Sequence, residues 1–176
     1  MRIVAGAAKG RPLHAPPGKD TRPTSDRARE GLFSTLGTLT DLDGARVLDL
    51  YAGSGAVGLE ALSRGAAQAI LVESDMKAAT VIRRNVEAVG LPGARVVVDR
   101  VERFLASDQG TYDVAFLDPP YATSDEIVAR VLGAIRADVL VVERSSRSPE
   151  PSWPEGYERV RERTYGEGTL WYGRRS

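Results

Sequence analysis

Four carboxylates, Asp49, Glu73, Asp99 and Asp118, each stand at the end of a short apolar run. The runs are Val47-Leu48, Ala69-Ile70-Leu71-Val72, Val96-Val97-Val98 and Val114-Ala115-Phe116-Leu117, the composition of strands buried on both faces of a parallel sheet. In an open α/β sheet the ligand lies outside the carboxyl ends of the strands. Acids at four successive ends therefore point to a bound small molecule rather than to solvation. Glu73 lies at the spacing from the first turn at which an acid accepts both hydroxyls of a ribose. Asp99, or the backbone beside it, stands where an adenine amine can be met. The set is that of a nucleoside-type ligand.

The fourth end is the most specific. In Asp118-Pro119-Pro120-Tyr121 two prolines fix the backbone and remove two N–H donors, leaving carbonyls free to point into a cleft. Carbonyl acceptors beside the Asp118 carboxylate suit a group that donates two hydrogens, such as the exocyclic amine of a purine. Holding both N–H bonds directs the nitrogen lone pair at an electrophile. Tyr121 offers a flat face on which a base can stack, a contact worth about 1–3 kcal/mol.

The elements that must position these groups follow from the pattern. Residues 46–51 form an apolar run, 52–55 a Gly-Ser-Gly turn, and 56–64 a helix, the front half of a βαβ unit. Alone, Gly53-x-Gly55-x-x-Gly58 fits a dinucleotide fold equally well. Beyond it the chain alternates: strand 69–73, helix 76–89, strand 95–98, short helix 101–106, strand 112–117, helix 124–134 and strand 138–143. This predicts a mostly parallel sheet with helices on both faces. Residues 157–165 and 169–172, around Gly166-Glu167-Gly168, read as an antiparallel hairpin at the sheet edge. Residues 144–156 read as the longest loop. At the front, residues 2–5 and 10–13 read as two strands of a small basic hairpin. Thr24 or Ser25 can cap a helix whose apolar side is Ala28, Leu32, Phe33 and Leu36.

The chain has 176 residues, 24 basic and 24 acidic, one histidine and no cysteine. Disulfides, thiolate metal sites and cysteine nucleophiles are excluded, and a lone His14 makes a multi-histidine metal site untenable. No metal is expected. The charge is uneven: residues 1–30 hold Arg2, Lys9, Arg11, Lys19, Arg22, Arg27 and Arg29 against three acids. Such a front suggests a nucleic-acid-binding arm. No apolar run reaches membrane-spanning length and the N-terminus lacks a signal-like segment, so a cytoplasmic location is expected. The expected division is a basic hairpin arm over 1–21 and a catalytic domain over 22–176.

Val47-Leu48-Asp49-Leu50-Tyr51-Ala52-Gly53-Ser54-Gly55, Glu73 and Asp118-Pro119-Pro120-Tyr121 resemble motifs of the class I S-adenosylmethionine-dependent methyltransferases. The last group resembles the branch that methylates exocyclic amines of adenine or guanine. Arg2-Ile-Val-Ala-Gly6, Gly10-Arg11, Arg22-Pro23-Thr24 and Arg27-x-Arg29-Glu30-x-Leu32-Phe33 narrow the resemblance to the RsmD type, which methylates a guanine N2 in 16S ribosomal RNA. The resemblance covers nearly the whole chain, with no motif over 144–165. It implies a Rossmann-like, seven-stranded, mostly parallel sheet with an antiparallel C-terminal hairpin and a small N-terminal hairpin extension. It also implies S-adenosylmethionine as cofactor, held by Asp49, Tyr51, Ala52, Gly53, Ser54, Gly55, Glu73, Ser74, Asp99, Arg100 and Asp118. Asp118, Pro119, Pro120 and Tyr121 would carry the chemistry. The basic front would contact the RNA, within an assembled or assembling 30S particle, and the kinship implies a monomer. A DNA adenine-N6 methyltransferase shares the Asp-Pro-Pro-Tyr logic but would be expected to carry a separate target-recognition domain. A non-catalytic RNA-binding assembly factor would have no use for an intact Asp118–Tyr121 turn. A nicotinamide oxidoreductase fits the glycines and Glu73 but gives no reason for that turn.

Overall fold

The computed structural model describes residues 1–17, 25–108 and 110–176. Lys19, Arg22 and Thr24, named above, lie outside the described residues. Helix α1 (Asp26–Leu36) starts where Ser25 Oγ accepts the Ala28 N–H at 3.0 Å, the N-cap that satisfies one of the first-turn amides. Then come β1 (Arg46–Leu50), α2 (Ala56–Ser63), β2 (Gln68–Glu73), α3 (Met76–Val89), β3 (Ala94–Val98), α4 (Val101–Ser107), β4 (Tyr112–Leu117), α5 (Asp125–Gly133), β5 (Ala137–Ser145), β6 (Tyr157–Tyr165) and β7 (Gly168–Arg175). Asp75 caps α3 and Ser124 caps α5 in the same way as Ser25.

Among the described residues the strands form one sheet in the order β3-β2-β1-β4-β5-β7-β6, parallel except that β7 runs antiparallel to β5 and β6. The order reverses between β1 and β4, where Leu50 pairs with Leu117. That switch point opens a crevice at the carboxyl ends of the strands. Alternation along each strand sends Val47, Val114, Phe116, Val139 and Val141 to one face, against α1, α2 and the end of α3. It sends Leu48, Leu50, Ala115, Leu117, Leu140 and Val142 to the other, against α4 and α5. Asp49 and Glu143 continue the first alternation, so their side chains emerge on the α1–α2 side.

β5 runs on through Arg144 and Ser145, which the sequence pattern placed in a loop. The antiparallel ladder with β7 extends to Arg144↔Thr169 and Ser145↔Gly168. These backbone bonds hold polar residues in a strand that side-chain patterning does not announce. The N-terminal hairpin pairs through a single bridge, Arg2↔Pro12, instead of two full strands. The Val4 and Ala5 N–H groups donate to the two carboxylate oxygens of Glu60 on α2, at 2.9 and 3.0 Å. Ile3, Ala8 and Leu13 are buried in the same core as α1 and α2.

Candidate active site

The loop after β1 is held in an unusual shape. Tyr51 has φ 60°, and Gly53 and Gly55 have φ 60° and 80°. A tyrosine in the left-handed region costs about 1–2 kcal/mol, and such strain clusters at ligand sites. Gly58 is needed for a close approach: a Cβ there would lie 2.6 Å from the Leu71 side chain and 3.2 Å from Asp49 Oδ2. Its N–H donates to that oxygen at 3.0 Å. Asp49 is buried, which pushes its carboxyl up to about 7 against the Gly58 hydrogen bond, with the charge of Glu73 adding to the rise. Burial likewise raises the Tyr51 hydroxyl to about 12, helped by Glu102 and opposed by Arg144.

Beyond this loop lies an open cleft of about 200 Å³ lined by Tyr51, Glu73, Ser74, Arg100, Val101 and Glu102. Glu73 Oε1 accepts the Gly53 N–H and Oε2 the Asp75 N–H, both at 2.9 Å. Each oxygen retains a lone pair, so the carboxylate is fixed in place yet can still accept two hydroxyls. A Cβ on Gly53 would meet no protein atom within 4 Å, so the loop leaves space on that side. Asp99 accepts the N–H of Arg100 at 2.8 Å and donates its own N–H to the Glu73 carbonyl at 3.1 Å. It shapes the turn, while Arg100 forms the wall. Glu102, on the first turn of α4, lines the cleft and was not anticipated. A carboxylate one turn into a helix looks like ordinary helix-terminus charge.

Across the switch point the Asp118–Tyr121 turn is braced from behind. Arg144, almost fully buried, donates from Nη1 to the Pro120 carbonyl at 3.3 Å and from Nη2 to the Thr123 carbonyl at 2.7 Å. The Thr123 N–H also donates to the Pro120 carbonyl, at 2.9 Å. Only one of the two proline carbonyls is therefore free for a ligand. Among the described residues nothing donates to Pro119, whereas Pro120 is already saturated. The Tyr121 ring is 41% exposed. Asp118 is hydrogen-bonded to Glu143; crowding by protein atoms, that bond with the Glu143 charge, and Asp49 push its carboxyl well above the usual carboxylate range, with Arg144 opposing. As a whole residue Asp118 is exposed, while its carboxyl is crowded by protein atoms and by the Glu143 and Asp49 charges. Asp49, Asp118 and Glu143 share a small cavity of about 30 Å³ whose other walls include Leu32, Val57 and Phe116. Glu143 and Arg144 were both missed, because nothing in the local sequence couples the end of β5 to the end of β4.

The basic front divides. Arg2, Lys9, Arg11 and Arg27 are exposed, although Arg11 already donates to the carbonyl of Val89 at the end of α3. Arg29, expected among the RNA contacts, is fully buried: it pairs with Glu60 at 3.1 Å and Asp26 at 2.9 Å. The reason is its place on α1, three and four residues before Leu32 and Phe33, hence on the buried face. Asn85 of α3, also fully buried, donates to the carbonyls of Ser54 and His14 and accepts the His14 N–H. It ties the N-terminal segment to the glycine loop. Among the described residues no acidic or histidine cluster could hold a metal ion, and no helix is long and apolar enough to cross a membrane.

A family model described as conserved hypothetical protein 95 matches residues 1–174. The chain belongs to this family. It is the RsmD-type methyltransferase family that the motifs resembled. Ribosomal RNA small subunit methyltransferase D of Escherichia coli (strain K12) is 41% identical over 121 residues, covering 69% of this chain and 60% of that relative. A solved structure titled "Putative methyltransferase yhhF from Escherichia coli" superposes with a TM-score of 0.87 at 33% identity, over 100% of this chain and 98% of that one. The magnesium protoporphyrin IX methyltransferase from Synechocystis PCC 6803, solved with bound SAM, shares the fold at 16% identity, TM-score 0.69, over 85% of this chain and 79% of its own. The architecture is thus that of the class I methyltransferases, including the antiparallel hairpin expected from the tail.

Proposed function

We propose that this protein transfers a methyl group from S-adenosylmethionine to the exocyclic N2 amine of a guanine in 16S ribosomal RNA of the small subunit, free or within a 30S particle. The observation that carries the reading is the braced Asp118–Tyr121 turn, with the Pro119 carbonyl open and the Tyr121 ring exposed, facing the glycine loop across the switch point. The relative named as a ribosomal RNA small subunit methyltransferase supports the choice of RNA over DNA.

The residues present fit the cofactor: Gly53 leaves its face open, Glu73 keeps two lone pairs for a ribose, and Arg100, Ser74 and Tyr51 wall the cleft. Asp49 completes this set on the α1–α2 side. When bound, S-adenosylmethionine supplies a methyl group on a cationic sulfur that is already electrophilic. The protein's task is then placement. Asp118 and the Pro119 carbonyl accept the two amine hydrogens and favour the positive charge that grows on nitrogen. Tyr121 stacks the base, which must be unpaired or flipped out because pairing hides its amine. Lys9 and Arg27 contact the RNA backbone. The test is Asp118→Ala, which is expected to lose at least about 100-fold in single-turnover rate, the size of effect seen when one electrostatic contact is removed. Cofactor affinity by calorimetry should stay within a few fold. An Asp118→Ala protein with full activity would remove the basis of this reading.

A further inference from the structure

Three carboxyls converge behind the reacting corner, from β1 (Asp49), from the turn after β4 (Asp118) and from β5 (Glu143). The neighbouring elements bring little to offset them: α1 contributes Leu32, α2 Val57 and β7 Leu170 to the same cavity. Arg144 opposes the rise at Asp118, but its guanidinium is also held by the Pro120 and Thr123 carbonyls and by Asp125 at 3.7 Å. Glu73 adds negative charge from β2, as does Glu102 from α4 toward Tyr51. Asp118 and Glu143 nevertheless stand within hydrogen-bond reach of each other. Two carboxylates at such range are costly to ionise together, and one proton shared between them relieves that cost.

We infer that Glu143 is the residue that holds a proton jointly with Asp118 in the cofactor-free protein, that the pair gives this proton up when the cationic cofactor enters, and that it takes a proton back from the methylated amine. The inference rests on the function proposed above. The cycle balances. Before reaction the ionised pair would offset the positive charge that the cofactor brings. The amine lone pair forms the N–CH₃ bond while the S–CH₃ pair stays on sulfur, which becomes neutral. The ammonium then loses its N–H proton to the Asp118 carboxylate, and Glu143 shares it, restoring the starting state. Glu143 acts through Asp118 and is a positioning residue.

Proton uptake and release accompany binding wherever a group's protonation differs between free and bound states. Calorimetry of S-adenosylmethionine binding in buffers of different ionisation enthalpy reads that number directly. Near neutral pH the wild-type protein should release about one proton more than Glu143→Gln, since the amide keeps the hydrogen bond but cannot share a proton. Equal proton counts in the two proteins would overturn the inference. Infrared spectroscopy of the cofactor-free Asp49→Asn protein, which removes the other raised carboxyl of this corner, provides a second reading that does not depend on the Glu143 variant folding. A protonated carboxyl band should be present at neutral pH and disappear on adding cofactor; its absence from the free protein would also overturn the inference. If the cofactor gives no binding heat at all, the proposed function fails, while the infrared band still decides whether the pair holds a proton.

Discussion

Asp49 shows how much of the corner's chemistry is set residue by residue. Its carboxyl sits near pH 7 when folded against 3.8 otherwise. Between those values the folded state binds more protons than the unfolded one, so this residue lowers stability as pH rises through that window. Asp49→Asn should therefore gain stability relative to wild type from pH 5 to pH 8, by about 3 kcal/mol, since the folded value of about 7 lies about two pH units above the lower end of that range. Denaturant unfolding of both proteins at the two pH values checks it; a difference that does not grow with pH would contradict it. Tyr121→Ala should raise KM for the RNA more than it lowers kcat, with a loss of about 1–3 kcal/mol in binding if the ring stacks the base. Asp49, Glu73, Asp118 and Tyr121 could be read from the chain because each follows an apolar run or a proline pair. Glu143 and Arg144 could not, since their roles depend on a partner some twenty-five residues away that only the β4–β5 pairing brings near.

The elements were largely legible, because the sheet is built from unbroken aliphatic runs and the helices carry their own caps. What escaped were the places where charge is buried. Glu60 stands in Ala56-Val57-Gly58-Leu59-Glu60-Ala61-Leu62, a helix with apolar residues all round. Its carboxylate is fully buried and accepts from Val4 N, Ala5 N, Arg29 Nε and, at 2.9 Å, Arg64 Nε. The same pattern could have signalled Arg29, which lies on the apolar stripe of α1 rather than opposite it. Glu60→Ala leaves Arg29 buried without its main partner and should cost about 3–5 kcal/mol, as breaking a buried pair does. Equilibrium unfolding measures this, and a cost below about 1 kcal/mol, the range of surface pairs, would refute the structural role of the buried Glu60–Arg29 pair.

Taken as a whole molecule, the protein has no net charge, so RNA affinity must come from local placement rather than a global field. Lys9 and Arg27 remain exposed at the front, whereas Arg29 is spent inside. Replacing either exposed residue by alanine should weaken RNA binding at all sequences and reduce the slope of log affinity against log salt by about one. Filter binding at several salt concentrations reads that slope. Through Asn85 and Glu60 the same N-terminal segment is anchored to the glycine loop and to α2, so the proposed RNA face and the proposed reacting corner share one scaffold. The most direct test of the account is a single-turnover assay with labelled S-adenosylmethionine on 16S RNA and 30S particles, wild type beside Asp118→Ala. The account predicts label on a guanine N2 with the wild-type protein and its near-complete loss in the variant, with cofactor binding retained. Label on another atom, or undiminished transfer by the variant, would contradict it.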